Sequence, residues 1–296
     1  MLVFRKTAGK LIRRSRVAVF GNNRPATVNL LYKAYQLKAR RNWDLSDYSD
    51  EEPYRSSAGE LAQNGYLVFH PDENRALCAR LARRAGTLLD TPGVALRDES
   101  QGIIRLKDSL ERLPELTELL TGHIEKVIEF YYRSYFKLYS TEVYRLIHCA
   151  SAPKESFLWH CDNAPAEMIK LLVYLSDTTE ETGAFRLKDK SVSSKLKRRG
   201  FWDRADNDRF ADLLDDVAST RVLGGPVGTG ILFQHSACIH KATYPSRGQR
   251  DVAAILIIPS DVPWREHLAR HSNRLSRNYG ICLNPFTDRP ERVGDE

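Results

Sequence analysis

The second part of the chain, from Thr141 onward, consists of short runs of β-branched and aromatic residues separated by turn-forming segments. Runs of this kind predict strands, and several in succession are typical of a β-sandwich or a closed barrel. The chain has 296 residues and is 42% hydrophobic, which is sufficient for a substantial core. A mainly β domain with flanking helices is therefore expected. The predicted strands span residues 143–147, 157–160, 169–175, 183–187, 230–233 and 252–258.

Helical spacing of apolar residues appears mainly before these strands. Gly65 is expected to end one helix, because glycine takes positive φ at low cost. Another helix is predicted over 74–89, and residues 110–139 carry two more helical patterns that break near Gly122. We expect these helices to pack outside the sheet. The polar stretch 193–219 should form a helical surface insertion beside the mouth of the barrel, either as a solvated face or as a lid over a substrate.

Changes in composition divide the chain into segments. An acidic, proline-containing stretch separates a basic beginning from the ordered part, and a short helix and tail are expected to follow the last strand. The boundaries are a basic N-terminal arm (1–43), a linker or surface loop (44–58), one large domain (59–262) with a polar insertion at about 188–222, and a C-terminal helix and tail (263–296).

The net charge of +7 is concentrated in the arm. Eleven basic side chains and no acidic one lie between Met1 and Arg41, so the remainder of the chain carries about −4. Such an arm is suited to three roles: a solvated or docking extension, peripheral contact with an anionic membrane or glycolipid, or contact with nucleic acid, which is the least favoured. No apolar run is long enough to span a bilayer, and no secretory signal is evident.

The five cysteines are scattered without CxxC pairs. An odd number of unpaired cysteines suits a reducing compartment better than a disulfide framework. A cytoplasmic location is therefore expected, with peripheral attachment at the inner membrane surface as a possible addition through the arm.

The stretch Trp159-His160-Cys161-Asp162-Asn163 has the spacing of a metal site. A histidine and a carboxylate two residues apart on a strand point to the same side, and one distant histidine, such as His240, would complete a three-ligand face. Two histidines and one carboxylate form the facial triad of non-haem Fe(II) oxygenases, which leaves positions open for a cosubstrate and dioxygen. The sequence therefore points to a redox enzyme.

Several fragments occur together in the order seen in phytanoyl-CoA dioxygenase-like enzymes, and the chain resembles that family over about residues 59–260. The fragments are Asn64-Gly65-Tyr66, the metal-site stretch 159–163, Leu172-Val173-Tyr174-Leu175-Ser176-Asp177 followed by Thr182-Gly183-Ala184-Phe185, and Phe233-Gln234-His235 leading to His240. The resemblance implies a double-stranded β-helix core, which is the jelly-roll fold of cupins. It also implies Fe(II), the cosubstrate 2-oxoglutarate and dioxygen.

The resemblance implies that His160, Asp162 and His240 are the iron ligands and the catalytic centre. Arg250 lies about ten positions beyond the last ligand, where family members carry an arginine. Its planar guanidinium can bind the far carboxylate of 2-oxoglutarate with two parallel hydrogen bonds. Arg247, in the same loop, is the alternative.

Further residues are candidates for the walls of the site. Lys170 or Tyr144, if they face the barrel interior, would assist the cosubstrate carboxylate. The possible substrate pocket comprises Trp159, Asn163 and His235, although packing, a turn and a non-ligand position near the metal are alternatives for these three. The family often has a Gly-Ser-His stretch where this chain has residues 188–191, and this departure concerns the substrate side of the pocket.

The expected reaction is hydroxylation of a small molecule, a lipid or a sugar, with release of succinate and carbon dioxide. Asp162 favours a hydroxylase, because a small residue at that position would leave room for a halide. Two alternatives remain open at this point. One is a cupin-like metal enzyme without a keto acid, and the other is a non-catalytic protein that binds a membrane or a glycan. The substrate and the oligomeric state are not specified by the sequence.

Overall fold

The computed structural model describes residues 26–44, 51–70, 75–120, 122–162, 167–271, 281–283 and 290–292. The helices are α1 (Ala26–Arg40), α2 (Glu52–Asn64), α3 (Arg75–Asp90), α4 (Ser109–Arg112), α5 (Gly122–Tyr132), α6 (Lys190–Arg198), α7 (Ala211–Leu214) and α8 (Trp264–His271). The strands are β1 (Tyr66–Phe69), β2 (Ala95–Asp98), β3 (Ile103–Leu106), β4 (Tyr135–Ile147), β5 (Ile169–Tyr174), β6 (Phe185–Leu187), β7 (Arg221–Leu223), β8 (Gly230–Phe233), β9 (His240–Lys241), β10 (Gln249–Ser260), β11 (Ile281–Leu283) and β12 (Pro290–Arg292).

Two antiparallel sheets face each other. The long sheet has the order β1-β8-β5-β10-β4-β3-β2, and the short sheet has the order β7-β6-β9. Side chains from both sheets meet between them in one buried cluster, which includes Tyr174 and Phe233 of the long sheet and Phe185 and Leu187 of the short sheet. The predicted jelly-roll core with flanking helices is thereby confirmed.

The opposite face of the long sheet carries the larger core. Ala253, Ile255 and Ile257 of β10 point to that face, where they join side chains of α2, α3 and α5. Their neighbours Val252 and Ala254 point between the sheets. Because both faces of β10 are covered, its apolar run is continuous rather than alternating. The expectation that the helices pack outside the sheet is correct.

Gly65 ends α2 as its sequence position suggests. Its φ is 85°, and its N–H donates to the carbonyl of Leu61, which closes the last turn of the helix. β1 begins at the next residue and pairs with β8. This turn fixes the edge of the long sheet beside the segment that leads to His240.

Two helix predictions need correction. α2 begins at Glu52, inside the stretch 44–58 that was expected to be a linker, because Pro53 suits the first turn and Glu52 places a negative charge at the helix N-terminus. The helical pattern expected up to residue 139 ends at Tyr132, and β4 begins at Tyr135. Phe136 and Leu138 are buried there on a strand that pairs with β10, and this pairing outweighs the local helical spacing.

The last part of the basic arm is not a free extension. α1 lies against β10, where Tyr32 packs with Met168, Leu256 and Ile258. The Nε of Arg40 donates to the carbonyl of Tyr132 at 3.1 Å. The rest of the arm, residues 1–25, lies outside the described residues.

The polar insertion forms helices, α6 and α7, as expected, but it is more than a solvated face because its apolar side chains are buried. Leu196, Phe201, Phe210 and Leu214 of the insertion form a buried cluster with Trp159 and Ile239. A helix needs only one apolar stripe to dock, so a high overall charge did not prevent packing.

Within the described ranges, no helix combines the length and the apolar character needed to cross a bilayer. The C-terminal helix was expected after residue 262, and α8 begins at Trp264. Of the tail that follows, only β11 and β12 belong to the described residues, and they pair with each other.

Candidate metal centre

His160 and His240 are brought together by the backbone. The N–H of His160 donates to the carbonyl of His240 at 3.0 Å, and the N–H of His240 donates to the carbonyl of His160 at 2.8 Å. Residues that exchange both hydrogen bonds lie directly opposite each other, so their side chains share one face. The two rings are 4.4 Å apart between centroids. The segment 157–160 was predicted as a full strand, but the structure contains only this single bridge, preceded by a short 3₁₀ turn at Glu155–Phe157.

Both rings present the same nitrogen to the site. Nδ1 of His160 lies 2.8 Å from the carbonyl oxygen of Leu158, and Nδ1 of His240 lies 2.9 Å from the carbonyl oxygen of Cys238. A carbonyl can only accept, so Nδ1 carries the proton and a neutral ring has its lone pair on Nε2. Such a bond on the other nitrogen is the usual way in which proteins orient a metal-binding histidine.

The two oxygens of Asp162 have different surroundings. Oδ1 faces the histidines, at 3.4 Å from Nε2 of His160 and 3.9 Å from Nε2 of His240. Oδ2 accepts hydrogen bonds from Nζ of Lys170 at 2.7 Å and from Nδ1 of His235 at 3.0 Å. The outer oxygen is therefore held by protein donors, and the inner oxygen is directed at the other two candidate ligands.

One ligand atom from each of His160, Asp162 and His240 lies within 4.8 Å of the other two, so the three can hold one metal ion. Both histidines are almost fully buried, whereas 26% of the Asp162 side chain is exposed. Phe185 and Phe233 pack around the His240 ring. The arrangement offers two imidazole nitrogens and one carboxylate oxygen to a single ion, a donor set that fits Fe(II).

The electrostatics of the site favour the metal-binding protonation states. Burial raises the pKa of Asp162, but the Lys170 ammonium and the hydrogen bond from His235 outweigh it and hold that pKa well below the usual range. Burial and the neighbouring His160 lower the pKa of His240. At neutral pH the carboxylate is therefore ionised and the His240 imidazole is neutral, as metal ligands must be.

Arg250 lies at the start of β10 and is 2% exposed. Its Nη1 donates to the carbonyl of Gly183, and its buried Nε has no hydrogen-bond partner. Within the described parts of the chain, no carboxylate lies at ion-pair distance from this guanidinium. Arg247, the alternative candidate in the same loop, is exposed. A buried arginine without a protein carboxylate is suited to bind an anionic ligand.

Tyr144 lies in the same interior, on β4 directly opposite Val252. Burial raises its pKa, whereas the positive charges of Arg250 and Lys170 both act to lower it. The phenol is therefore within electrostatic range of both cations. Lys170 is also bonded to Asp162 of the candidate metal centre. A cosubstrate role for Tyr144 and Lys170 remains a prediction.

Replacement of Gly183 by alanine should disturb the support of Arg250. Gly183 has φ 90°, and an added Cβ would lie 2.4 Å from the carbonyl oxygen of Thr243. We expect a loss of at least about 2 kcal/mol in the free energy of unfolding, measured by urea denaturation. Gly59→Ala is the control, because this glycine lies in α2 with no atom within 4 Å of the added Cβ, and should be neutral or stabilising. Equal stability of the two variants would contradict the strained geometry at Gly183.

The three candidate pocket residues, Trp159, Asn163 and His235, do not form one common pocket wall among the described residues. Asn163 lies outside the described residues. His235 contacts Asp162 rather than facing the histidine nitrogens. Trp159 is 3% exposed and packs in the insertion cluster, with the Nζ atoms of Lys188 and Lys241 at 5.2 and 4.7 Å from its ring centroid.

Asn207 was not identified from the sequence, although it supports the metal-binding segment. Its side-chain Oδ1 accepts from the N–H of Trp159 at 3.0 Å, and its Nδ2 donates to the carbonyl of Trp159 at 2.8 Å. The Asn207 carboxamide thus makes the two backbone hydrogen bonds to Trp159 that a neighbouring strand would otherwise make. Trp159 is the residue before His160. No local pattern marks such a residue, because the contact joins segments that are distant in sequence.

No protein-family model matches the chain, and neither does any curated protein sequence. Solved structures do match. EctD from S. alaskensis with bound Fe superposes with a TM-score of 0.55 at 17% identity, covering 81% of this chain and 84% of its own. The same protein has been solved with 2-oxoglutarate and 5-hydroxyectoine, and that structure gives a TM-score of 0.54 at 16% identity over 88% of each chain.

Two further similar structures come from nogalamycin biosynthesis. The non-haem α-ketoglutarate-dependent epimerase SnoN superposes with a TM-score of 0.52 at 18% identity, covering 71% of this chain and 84% of its own. The carbocyclase SnoK, also α-ketoglutarate-dependent, gives 0.51 at 15% identity, with 73% and 89% covered. At these identities the similarity establishes a shared fold. EctD was solved with iron and with 2-oxoglutarate, and SnoN and SnoK are described as α-ketoglutarate-dependent.

Proposed function

We propose that this protein is an Fe(II)- and 2-oxoglutarate-dependent dioxygenase, similar to the phytanoyl-CoA dioxygenase-like enzymes. It would hydroxylate an organic substrate, either a small molecule, a lipid or a sugar, and release succinate and carbon dioxide. His160, Asp162 and His240 would hold the iron. Arg250, with Tyr144 beside it, would hold the far carboxylate of 2-oxoglutarate.

The observation that carries this proposal is Arg250. A buried guanidinium whose described partner is a single carbonyl oxygen has unused donors, and an ionised carboxylate satisfies them with paired hydrogen bonds. A metal enzyme without a keto acid has no need for such a group in the same interior as the triad. The cupin-like alternative therefore has less support than the oxygenase.

Iron and 2-oxoglutarate, when bound, would supply an oxidant from dioxygen. The residues of the chain bind and orient these groups. Asp162 presents one oxygen because its other oxygen is bonded to Lys170 and His235. Phe185 and Phe233 surround the His240 ring with apolar surface and limit the access of water from that side.

Hydroxylation is the outcome we favour, because Asp162 fills the position that a halide would otherwise take. The same fold supports other outcomes, since SnoN is an epimerase and SnoK a carbocyclase. The decisive experiment is a screen of substrate pools with the Fe(II)-loaded protein, in which succinate release and product mass are both measured. A product 16 mass units heavier, formed together with succinate, supports hydroxylation. Turnover without succinate would refute the proposed cosubstrate.

We also propose that the arm guides the protein to an anionic membrane surface or glycolipid. Seven of its basic residues lie within residues 1–25: Arg5, Lys6, Lys10, Arg13, Arg14, Arg16 and Arg24. Basic side chains near an anionic bilayer each contribute about 1 kcal/mol of attraction. Binding is therefore expected to require this segment rather than α1, which is docked on the domain.

Two truncations distinguish a role of the arm in membrane binding from a contribution of α1 to the stability of the fold. Deletion of residues 1–25 should abolish sedimentation with phosphatidylserine-containing liposomes and leave the unfolding midpoint unchanged. Deletion of residues 1–41 also removes Tyr32, which is 2% exposed, and should lower the free energy of unfolding by at least about 2 kcal/mol. Liposome binding that survives the shorter deletion would remove the support for a membrane role. Equal stability of the two truncations would contradict the docking of α1.

A further inference from the structure

Lys170 is a cation that lies beside Asp162, a candidate ligand of a metal cation, and two positive charges are seldom placed so close together. It is on β5, directly opposite Leu256 on one neighbouring strand and Phe233 on the other. Its Nζ lies 2.7 Å from Oδ2 of Asp162, and 24% of its side chain is exposed. An ion held by Oδ1 of the same carboxylate would therefore be close to this ammonium.

The charge of Lys170 acts on several groups of the site. Its ammonium is bonded to Oδ2 of Asp162, whose Oδ1 lies 3.4 Å from Nε2 of His160 and 3.9 Å from Nε2 of His240. It also opposes the effect of burial on Tyr144. A divalent ion and a dianionic ligand bound among these groups would be subject to the same field.

His235 provides a natural comparison. It donates to the same oxygen of Asp162, at 3.0 Å, and is 2% exposed. Both residues thus orient the carboxylate, but in its neutral form the imidazole adds no charge. Any effect that belongs to Lys170 and not to His235 is an effect of charge rather than of carboxylate position.

We propose that Lys170 sets the charge of the metal site, so that it weakens the binding of the divalent ion and strengthens the binding of the anionic cosubstrate. This inference rests on the proposed function. A divalent ion and the ionised Asp162 together carry one net positive charge, and Lys170 raises it to two. With Arg250 included, three positive charges face the two negative charges of 2-oxoglutarate, and two would remain without Lys170. Lys170 is a positioning residue in this account, and it acts on both partners through the electrostatic field.

Removal of the Lys170 charge should therefore change the affinity for a divalent ion and the affinity for 2-oxoglutarate in opposite directions. Repulsion between an ammonium and a divalent ion a few ångström apart exceeds the loss of orientation when one of two donors to Asp162 is removed. Lys170→Met should therefore bind Co(II) about tenfold more tightly than the wild type, after allowance for screening by solvent. The same variant loaded with metal should need about tenfold more 2-oxoglutarate for half-saturation.

The experiment compares wild type, Lys170→Met, Lys170→Arg and His235→Leu. Co(II) affinity is measured by competition with a fluorescent chelator, and 2-oxoglutarate affinity by calorimetry on the Co(II)-loaded proteins. Circular dichroism verifies folding, and Lys170→Gln replaces the methionine variant if that variant does not fold. Lys170→Arg should retain both wild-type affinities, and His235→Leu should bind Co(II) equally or more weakly. Higher salt should reduce the difference between Lys170→Met and wild type.

Tighter Co(II) binding by Lys170→Met but not by His235→Leu is the expected result. Equal or weaker Co(II) binding by Lys170→Met, or equal changes in the two variants, would overturn the inference. If the wild type itself bound no Co(II), the proposed function would fail instead, so the two failures are distinguishable.

Discussion

Arg250→Ala should raise the concentration of 2-oxoglutarate needed for half-saturation by at least about 30-fold and leave metal affinity nearly unchanged. Truncation of one partner in a buried charge pair costs about 2–5 kcal/mol, and each 1.4 kcal/mol is a factor of ten. Arg250 is 2% exposed, and its described contacts include no carboxylate, so its guanidinium is available to an anionic ligand. Calorimetric titration of the Co(II)-loaded variant with 2-oxoglutarate measures the effect.

Arg247→Ala is the matched control for this prediction. Arg247 is three residues earlier and exposed, so its removal should leave 2-oxoglutarate affinity within about threefold of the wild type. Arg250→Lys should recover only part of the affinity, because an ammonium cannot form the two parallel hydrogen bonds of a guanidinium. A large effect at Arg247 and none at Arg250 would assign the cosubstrate to the other arginine.

Asp251→Ala should lower the free energy of unfolding by about 3–5 kcal/mol, the cost of removing one partner of a buried ion pair. Asp251 follows Arg250 on β10 but points to the opposite face of the sheet. Its carboxylate accepts from Nε and Nη2 of Arg145 at 2.7 and 2.8 Å, and both side chains are less than 10% exposed. The variant would leave Arg145 with Asp90, whose side chain is 63% exposed. Urea denaturation measures the change.

The double variant Arg145→Met/Asp251→Leu tests whether the unpaired Arg145 causes the loss of stability in Asp251→Ala. Replacement of both charges by apolar groups removes the uncompensated cation, so much of the lost stability should return. Metal binding should be retained in both proteins, because the pair lies on the face of the sheet away from the triad. A double variant less stable than Asp251→Ala would show that the ion pair is not the source of the effect.

The jelly-roll core and the triad could be predicted because their signals are local or repeated. Strand runs such as 252–258 contain their own β-type composition, and His160 and Asp162 are two residues apart. Gly65 likewise marked a helix end through its own backbone freedom. Each of these signals is present within a few residues of sequence, so single-sequence patterns were sufficient.

Other features depend on contacts between distant segments. Residues 135–139 resemble the end of a helix locally, but they pair with β10 and form a strand. His160 is held by one pair of backbone hydrogen bonds with His240, and the carboxamide of Asn207 holds the preceding residue. No full strand is formed there. The pairing of Lys170 with Asp162 is a side-chain contact inside a barrel, and spacing alone does not reveal it.

The burial of α1 could not be predicted for a similar reason. Eleven basic residues in the first 41 suggested one continuous arm, because net charge describes a segment as a whole. Tyr32, Gln36 and Ala39 instead recur at helical spacing on one face and are buried. The charged residues of α1 occupy the other face, so its charge is compatible with docking.

The measurement that tests the central claim most directly is an anaerobic titration of the protein with Fe(II) and then 2-oxoglutarate, followed by visible absorption. A keto acid that chelates Fe(II) through its keto oxygen and adjacent carboxylate should give a weak charge-transfer band. We expect that band in the wild type and in Arg247→Ala, and its absence in His160→Ala. The wild-type protein giving no band at saturating Fe(II) and 2-oxoglutarate would contradict the assignment of His160, Asp162 and His240 as an iron site that binds the keto acid.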